Sequence, residues 1–185
     1  MRHVTFTLTL GLVLCAMASA GCSSTKAPTS AANQWLKPPT VPPKLNVPAG
    51  NAVIYHARAT GTQIYVAKPS PDGKLAWTLK APSADLFDED GSKVGTHFAG
   101  PTWDIAGSKV IGQKLESIPI ESSVDWLLLK AKSTEGAGVL EKVTFIQRVN
   151  TTAGKPPATM PDGTREGAES AVPYTADYYF YAPSR

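Results

Sequence analysis

Residues 75–104 read LAWTLKAPSADLFDEDGSKVGTHFAGPTWD and decide the fold class of the chain. Short runs of β-favouring residues are interrupted there by Gly, Pro, Asp and Ser, and no helical period is sustained. Asp90-Gly91 is a strong hairpin signal. The same pattern predicts strands near residues 52–58, 62–67, 75–80, 93–99, 109–114, 125–133, 141–149 and 174–181. We therefore expect an all-β fold, a single sandwich or barrel-like domain of about 8–10 short antiparallel strands, with little helix outside the N-terminal leader.

The strand predicted at residues 93–99 carries the most informative histidine. Alternation along a strand places His97 on one face between Gly95 and Ala99, two nearly bare positions that leave room beside the imidazole ring. Either a ligand approaches this space, or a tryptophan ring folds over a glycine. A histidine held by a backbone or carboxylate partner beneath a tryptophan is the structural alternative to a functional histidine.

Aromatic and polar side chains alternate on several predicted strands. Such strands suit a groove that binds sugars, peptides or small molecules, because rings offer broad apolar contact, but they equally suit a β core. The ligand-binding candidates are His97, Trp103, Trp77, Tyr65, Arg148, Asp177 and Tyr179. If the late strands pair, we expect Arg148 and Asp177 to form a partly buried ion pair, because buried charges need partners.

The familiar catalytic signatures are missing from the sequence. It contains no GxSxG elbow, no HExxH helix and no GKS or GKT phosphate loop. The glycine pair within residues 136–138 lacks the third glycine of a dinucleotide fingerprint, since Glu141 stands in its place, and no cofactor is expected. No catalytic residue is assigned. The enzymatic alternative is a small hydrolase-like enzyme that uses His97 with Asp104 or Asp85 as acid and base.

The net charge and the side chains that could bind metal indicate whether nucleic acid or a metal ion is an expected partner. The 18 Lys and Arg and 15 Asp and Glu residues give a net charge of +3 without a basic cluster, so nucleic acid is not expected. The acidic residues within 85–90 lack the spacing of a calcium loop and are interpreted as a solvated turn. His97 has no neighbouring His or Cys in the sequence, so no metal site is expected.

The N-terminus has the features of an export signal. Residues 4–18 form an uncharged apolar run that is too short to span a bilayer as a mature helix. Residues 19–22, SAGC, resemble a lipobox and predict a lipoprotein-type signal peptide over residues 1–21 with a lipid on Cys22; ordinary cleavage after Ala20 is the alternative. We expect an exported protein anchored to a membrane of the cell envelope through this lipid, in the outer membrane of a Gram-negative host, and otherwise a periplasmic or secreted one.

The mature chain divides into a tether and one domain. Residues 22–50 form a lipidated N-terminus and a Pro/Ser/Thr-rich tether that favours extended polyproline II. Trp35 and Leu36 interrupt the tether and either dock on the domain or lie at the lipid headgroups. Residues 51–185 form the β domain, and residues 151–172 are predicted to be a long surface loop. No cysteine is left in this domain for a disulfide, a metal site or a nucleophile.

Seven motifs follow one another between about residues 45 and 181. They are QIY at 63–65, WTLKAP at 77–82, ADLFD at 84–88, VGTHFAGPTW at 94–103, WLLLKA at 126–131, IQRVNT at 146–151 and YTADYYFY at 174–181. Together they resemble the DUF3455 family. The resemblance implies an uncharacterised secreted or lipoprotein β domain and implies no established activity.

Two functional classes follow from the sequence. The leading interpretation is a non-enzymatic binding or structural β domain at the cell envelope, with a glycan, peptide or small molecule as ligand. The alternative is the enzyme built on His97. Replacement of His97 by Ala distinguishes them, because an enzyme would lose turnover with its fold intact, whereas a core histidine would contribute to stability.

Overall fold

A computed structural model describes residues 36–184 and shows eight antiparallel strands closed into one barrel. The strands are β1 (Asn51–Pro69), β2 (Leu75–Phe87), β3 (Lys93–Phe98), β4 (Thr102–Ile105), β5 (Ser108–Ile120), β6 (Ser123–Glu135), β7 (Phe145–Ala153) and β8 (Glu169–Pro183). A short 3₁₀ helix, Pro43–Leu45, precedes them. The predicted all-β class is confirmed, and of the two expected architectures the chain adopts the barrel.

The barrel has the simplest up-and-down topology. Each strand pairs with the next one in sequence, and β8 returns to pair with β1. This last pairing runs from Asn51 opposite Pro183 to Val66 opposite Glu169. Closure gives both edges of the sheet a partner, which removes the exposed edges of an open sheet.

β1 is one continuous strand where the sequence predicts two, at 52–58 and 62–67. Gly61 lies in the middle of β1, and in the sequence it indicates a break between two strands. In the structure, a Cβ atom on Gly61 would lie 2.2 Å from the carbonyl oxygen of Ser83. The glycine is therefore required by the close approach of β2 and does not mark a turn.

Two further elements differ from the sequence prediction. β4 is absent from the predicted strands; it has four residues and leads into a turn in which Ala106 and Gly107 both have positive φ, as in a type I′ hairpin. The loop predicted at 151–172 is shorter, because β7 continues to Ala153 and β8 begins at Glu169.

The two ends of the barrel differ in how they are closed. The segment between β6 and β7 covers one end, which we call the base, and buries Leu140 and Val143 there. The backbone N–H of Leu140 donates to Ser108 Oγ at 3.0 Å and fixes this cover to β5. The opposite end carries the β1–β2, β3–β4, β5–β6 and β7–β8 connections, and we call it the mouth. Large interior side chains fill the middle of the barrel: Leu86, Trp103, Ile105, Ile146, Tyr178 and Phe180.

The segment that precedes β1 packs on the outer wall. Leu45 is fully buried, and its carbonyl oxygen accepts a hydrogen bond of 2.7 Å from Gln147 Nε2. Lys44 pairs with Glu116 on β5 at 3.1 Å. The last part of the predicted tether thus contacts the barrel, whereas Leu36 remains 41% exposed.

The signal peptide, Cys22 and Trp35 lie outside the described residues. Within residues 36–184, no helix has both the length and the apolar character needed to cross a membrane.

Candidate functional site

A cavity of about 550 Å³ opens at the mouth, inside the barrel. Pockets that hold small molecules typically measure about 300–1,000 Å³, and an eight-stranded barrel has an interior wide enough for one small ligand. Its polar and aromatic lining includes Gln63, Tyr65, His97, Trp103, Arg148 and Tyr178, and its apolar lining includes Leu79, Pro82, Pro101, Val124, Leu127 and Leu129. Four of the predicted ligand-binding candidates are therefore brought together here.

An aromatic cluster forms the floor of the cavity. β3 and β4 pair so that His97 lies opposite Trp103, and the two rings stack with centroids 4.4 Å apart. Tyr178 packs against both rings, at centroid distances of 5.0 and 5.2 Å. A Cβ atom on Gly112 would lie 2.9 Å from Trp103 Cζ3. A tryptophan ring thus folds over a glycine, although this glycine is on β5 and not beside His97 in the sequence.

His97 is held as a neutral, oriented ring. Its Nδ1 donates a hydrogen bond of 2.8 Å to the carbonyl oxygen of Thr102. Burial lowers the pKa of His97 to about 3; the hydrogen bond to Thr102 raises it slightly and the charge of Arg148 lowers it further. A general acid or base works best with a pKa near the working pH, so His97 is not prepared for proton transfer at neutral pH.

The carboxylates of the enzymatic alternative lie away from His97. The strand register places Asp85 and Asp104 opposite the residue that precedes His97, so both face the other side of the sheet. Each has a lysine partner there, Lys93 at 2.8 Å and Lys109 at 3.7 Å respectively. The expected grouping of His97 with either aspartate is wrong.

Arg148 reaches the cavity from β7. Its Nε donates a hydrogen bond of 3.0 Å to the carbonyl oxygen of Asp125. Burial raises the pKa of the Tyr178 phenol, and the nearby guanidinium partly offsets that effect. The predicted pairing of Arg148 with Asp177 is wrong, because Asp177 lies opposite Val149 and faces the outside of the barrel. None of the ion pairs formed by residues 36–184 includes Arg148.

Within residues 36–184, two buried hydrogen-bond donors in the cavity wall have no hydrogen-bond partner. They are Gln63 Nε2 and Trp103 Nε1, and both residues are 1% exposed. The Gln63 side chain reaches towards the Tyr174 hydroxyl without completing a hydrogen bond of normal geometry. Buried polar groups nearly always find partners. Unpaired donors beside a cavity therefore indicate a place where an acceptor from outside the chain binds.

The mouth carries an excess of positive charge. Lys80, Lys114 and Lys155 line the cavity together with Arg148, and Asp125 is the acidic side chain among the lining residues. Lys80 pairs with Glu169, which lies outside the lining. Charges of one sign around a cleft concentrate ligands of the opposite sign.

The remaining sequence candidates do not line the cavity. On the outer wall, Asp177 accepts a hydrogen bond from Asn150 Nδ2, and its other carboxylate oxygen lies 3.2 Å from His56 Nε2. Tyr179 stacks on His56 with ring centroids 4.2 Å apart. Trp77 belongs to β2, and its indole nitrogen is buried without a hydrogen-bond partner.

Some cavity residues were not singled out by the sequence. Gln63 is the most informative, and its signal is the alternation in QIY, which places Gln63 and Tyr65 on one face. Asp125 and Lys114 give no such signal, since each is one charged residue in an ordinary strand. Among residues 36–184, no three His, Cys, Asp or Glu side chains are grouped in a way that could hold a metal ion.

Comparison with known proteins places the chain in a family. A family model described as protein of unknown function (DUF3455) matches residues 48–182. No curated protein and no solved structure matches the chain. Because the matched region covers all of the barrel except Pro183 and most of the sequence, the chain belongs to the DUF3455 family.

Proposed function

We propose that the protein is a non-enzymatic binding protein whose barrel holds a small molecule in the mouth cavity. One observation carries the proposal: a cavity of about 550 Å³ has buried donors in its wall, on Gln63 and Trp103, that no atom of the described part of the chain satisfies. A packed core would leave neither this space nor these donors.

The same geometry favours binding over catalysis. His97 is stacked, hydrogen-bonded through Nδ1 and neutral, and the acidic residues considered as its partners face the outer surface. A neutral imidazole in this setting contributes a flat surface and an acceptor nitrogen to a ligand. It does not provide a proton donor or acceptor tuned to neutral pH.

The form of the site favours a small molecule over a glycan or a peptide chain. The rings of Tyr65, Trp103 and Tyr178 line the inside of a closed barrel. A polymer binds along an open face, whereas a cavity reached through one end accepts a compact molecule or the end of a longer one. The outer ring of Tyr179 is engaged with His56 and contributes nothing to this cavity.

The test is a thermal-shift screen of the purified protein against small apolar carboxylates, amides, alcohols and amines. A ligand at about 100 times its Kd stabilises the folded state by about 2.7 kcal/mol, which is readily measured. Compounds that bind should lose this effect in Leu127→Trp, which places an indole in the cavity. Leu115→Trp is the matched control, because Leu115 is 42% exposed and does not line the cavity.

Two results would overturn the proposal. One is that no compound of any charge class stabilises the protein. The other is that every compound that does so acts equally on wild type and Leu127→Trp, provided that both variants remain folded by circular dichroism.

We further propose that the barrel is exported and attached to a membrane of the cell envelope by lipid on Cys22. The apolar run at residues 4–18 and the SAGC sequence that ends at Cys22 support this proposal. In a host with two membranes, Ser23 after the cysteine favours sorting to the outer membrane. Metabolic labelling with a palmitate analogue should mark the wild type and not Cys22→Ala. Equal labelling of both, or of neither, would contradict lipid attachment at this residue.

A further inference from the structure

Arg148 is a cation without a counter-charge at the cavity wall. A guanidinium has five N–H donors; Arg148 directs the one on Nε to the carbonyl oxygen of Asp125, and its guanidinium also interacts with the hydroxyl of Tyr178, a neutral partner. The Asp125 carboxylate also lines the cavity, but it forms no ion pair with Arg148. Charges taken out of water are normally neutralised by a partner. In the described part of the chain, that partner is not supplied by the protein.

The titratable neighbours of Arg148 cannot replace the missing anion. Burial raises the pKa values of Tyr65, Tyr174 and Tyr178, so these phenols keep their protons at neutral pH. His97 is neutral as well, with its proton on Nδ1. None of these four neutral side chains supplies an anion to Arg148, and Asp125, the acidic residue of the lining, contacts it through its backbone carbonyl oxygen.

The unpaired donors complete a site for an acceptor. Gln63 Nε2 and Trp103 Nε1 are buried beside the same cavity and have hydrogen atoms to donate. A carboxylate only accepts hydrogen bonds and offers about four lone-pair positions. Its two oxygens match the planar donor fork of a guanidinium in plane and spacing.

The rest of the cavity fits an apolar body. Val124, Leu127, Leu129 and Pro101 line the cavity beside the aromatic floor. Arg148 is the half-buried cation of the lining, whereas Lys80, Lys114 and Lys155 are exposed, so the inner part of the cavity favours an anion of unit charge. The lysines at the mouth attract an anion from solution but are solvated, so they contribute to capture more than to affinity.

We propose that the ligand is an organic monocarboxylate whose carboxylate pairs with Arg148 and whose aromatic or aliphatic body lies against Trp103 and the leucine side chains. This inference rests on the proposed binding function and specifies the chemical class that the cavity takes. Gln63 serves as a second donor to the carboxylate.

The test compares acids with neutral amides of the same shape. Binding of 1-naphthoate and 1-naphthamide, and of decanoate and decanamide, is measured by isothermal titration calorimetry on the purified protein. We expect at least one acid to bind about 10- to 100-fold more tightly than its amide, the range of a charge-assisted hydrogen-bonded pair. Arg148→Gln should abolish this preference. Lys130→Gln, which removes one positive charge from an exposed residue outside the cavity, should keep it.

The possible results separate this inference from the proposed function. Equal affinity for acid and amide in the wild type overturns the carboxylate assignment and leaves the cavity as a binding site. Binding of amides, alcohols or amines without binding of either acid also overturns the carboxylate assignment and leaves the cavity as a binding site. A preference for the acid that survives Arg148→Gln and weakens in Lys130→Gln places the anion elsewhere and also overturns it. If no compound of any class binds, the proposed function fails and the inference fails with it. The comparison of acid and amide in the wild type needs no variant, so it decides the question even if Arg148→Gln does not fold.

Discussion

The imidazole of His97 lies parallel to the indole of Trp103, with the ring planes inclined by 12° and the centroids 4.4 Å apart. The stack joins β3 to β4 inside the barrel and forms part of the floor of the cavity. Protonation of His97 would place a buried charge in this stack, and burial accordingly lowers the pKa of His97 to about 3.

Acid should destabilise the protein through His97. The pKa of histidine is about 6.5 in the unfolded chain and about 3 in the folded protein, so the unfolded state binds one more proton between these values. The free energy of unfolding should then be at its full value above pH 6.5 and fall by up to about 1.4 kcal/mol per pH unit below it. Urea unfolding at several pH values from 7.5 to 4.5 measures the slope. His97→Gln should have a flatter profile over this window, and an unchanged slope in the variant would contradict the assignment.

Arg148→Met should leave the fold intact. Because Arg148 has no ionic partner among residues 36–184, its removal breaks no ion pair there, and we expect the free energy of unfolding to stay within about 1 kcal/mol of the wild-type value. Loss of a partner from a buried ion pair would instead cost about 3–5 kcal/mol. Chemical denaturation monitored by circular dichroism distinguishes the two. A loss in the larger range would make Arg148 a structural residue.

Asp177 should contribute to stability from the outer wall. Burial raises the pKa of Asp177, but hydrogen bonds from His56 and Asn150 outweigh burial and hold the pKa below its ordinary value. We expect Asp177→Asn to lower the free energy of unfolding by about 1–3 kcal/mol at pH 7. The stabilisation of the carboxylate is present above the pKa of aspartate in the unfolded chain, near 3.8, and is lost as the pH falls through the lower folded value. A double-mutant cycle with His56→Gln measures the direct coupling, and a coupling near zero would assign the effect to the other partners.

Gly112→Ala should disturb the aromatic floor. The added methyl group would lie 2.9 Å from Trp103 Cζ3 and 3.1 Å from Leu129 Cδ2, so the indole has to move towards the cavity. Overpacking of this kind typically costs about 1–3 kcal/mol. Tryptophan fluorescence and near-ultraviolet circular dichroism should change together with stability. Gly73→Ala is the control, because it strains a positive-φ turn with open space around it and should leave the Trp103 signal unchanged.

The sequence predicts the class of the fold because alternation and turn residues are local properties. Asp90-Gly91 lies in a turn closed by a hydrogen bond from Asp88 N to Ser92 O, as expected between two strands. Gly61 misleads for a physical reason, since a glycine required by a neighbouring strand is indistinguishable in sequence from one required by a turn. β4 is missed because it has four residues and is followed by Ala106-Gly107, a weaker hairpin signal than Asn-Gly or Asp-Gly.

The site is predicted only in part, because it depends on register. His97 and Trp103 are close in sequence, so a hairpin suffices to bring them together. Arg148 and Asp177 lie on strands that do pair, but Asp177 is opposite Val149, and a shift of one residue turns a side chain to the other face. No local pattern in either strand determines that shift. Gln63 and Arg148 likewise come to line the same cavity only when the whole barrel has formed.

The pairing of β1 with β8 is the step that closes the barrel. Every other pair joins consecutive strands, whereas this one joins residues more than 100 positions apart, so its loop-closure cost is the largest. A chain that lacks β8 has no closed interior. Gln63 and Tyr65 on β1 then lack Tyr178, with which they line the cavity, and the cavity does not exist. A ligand of the cavity therefore binds the finished barrel and none of its open precursors, so it raises the free energy needed to separate the first strand from the last by an amount that grows with ligand concentration.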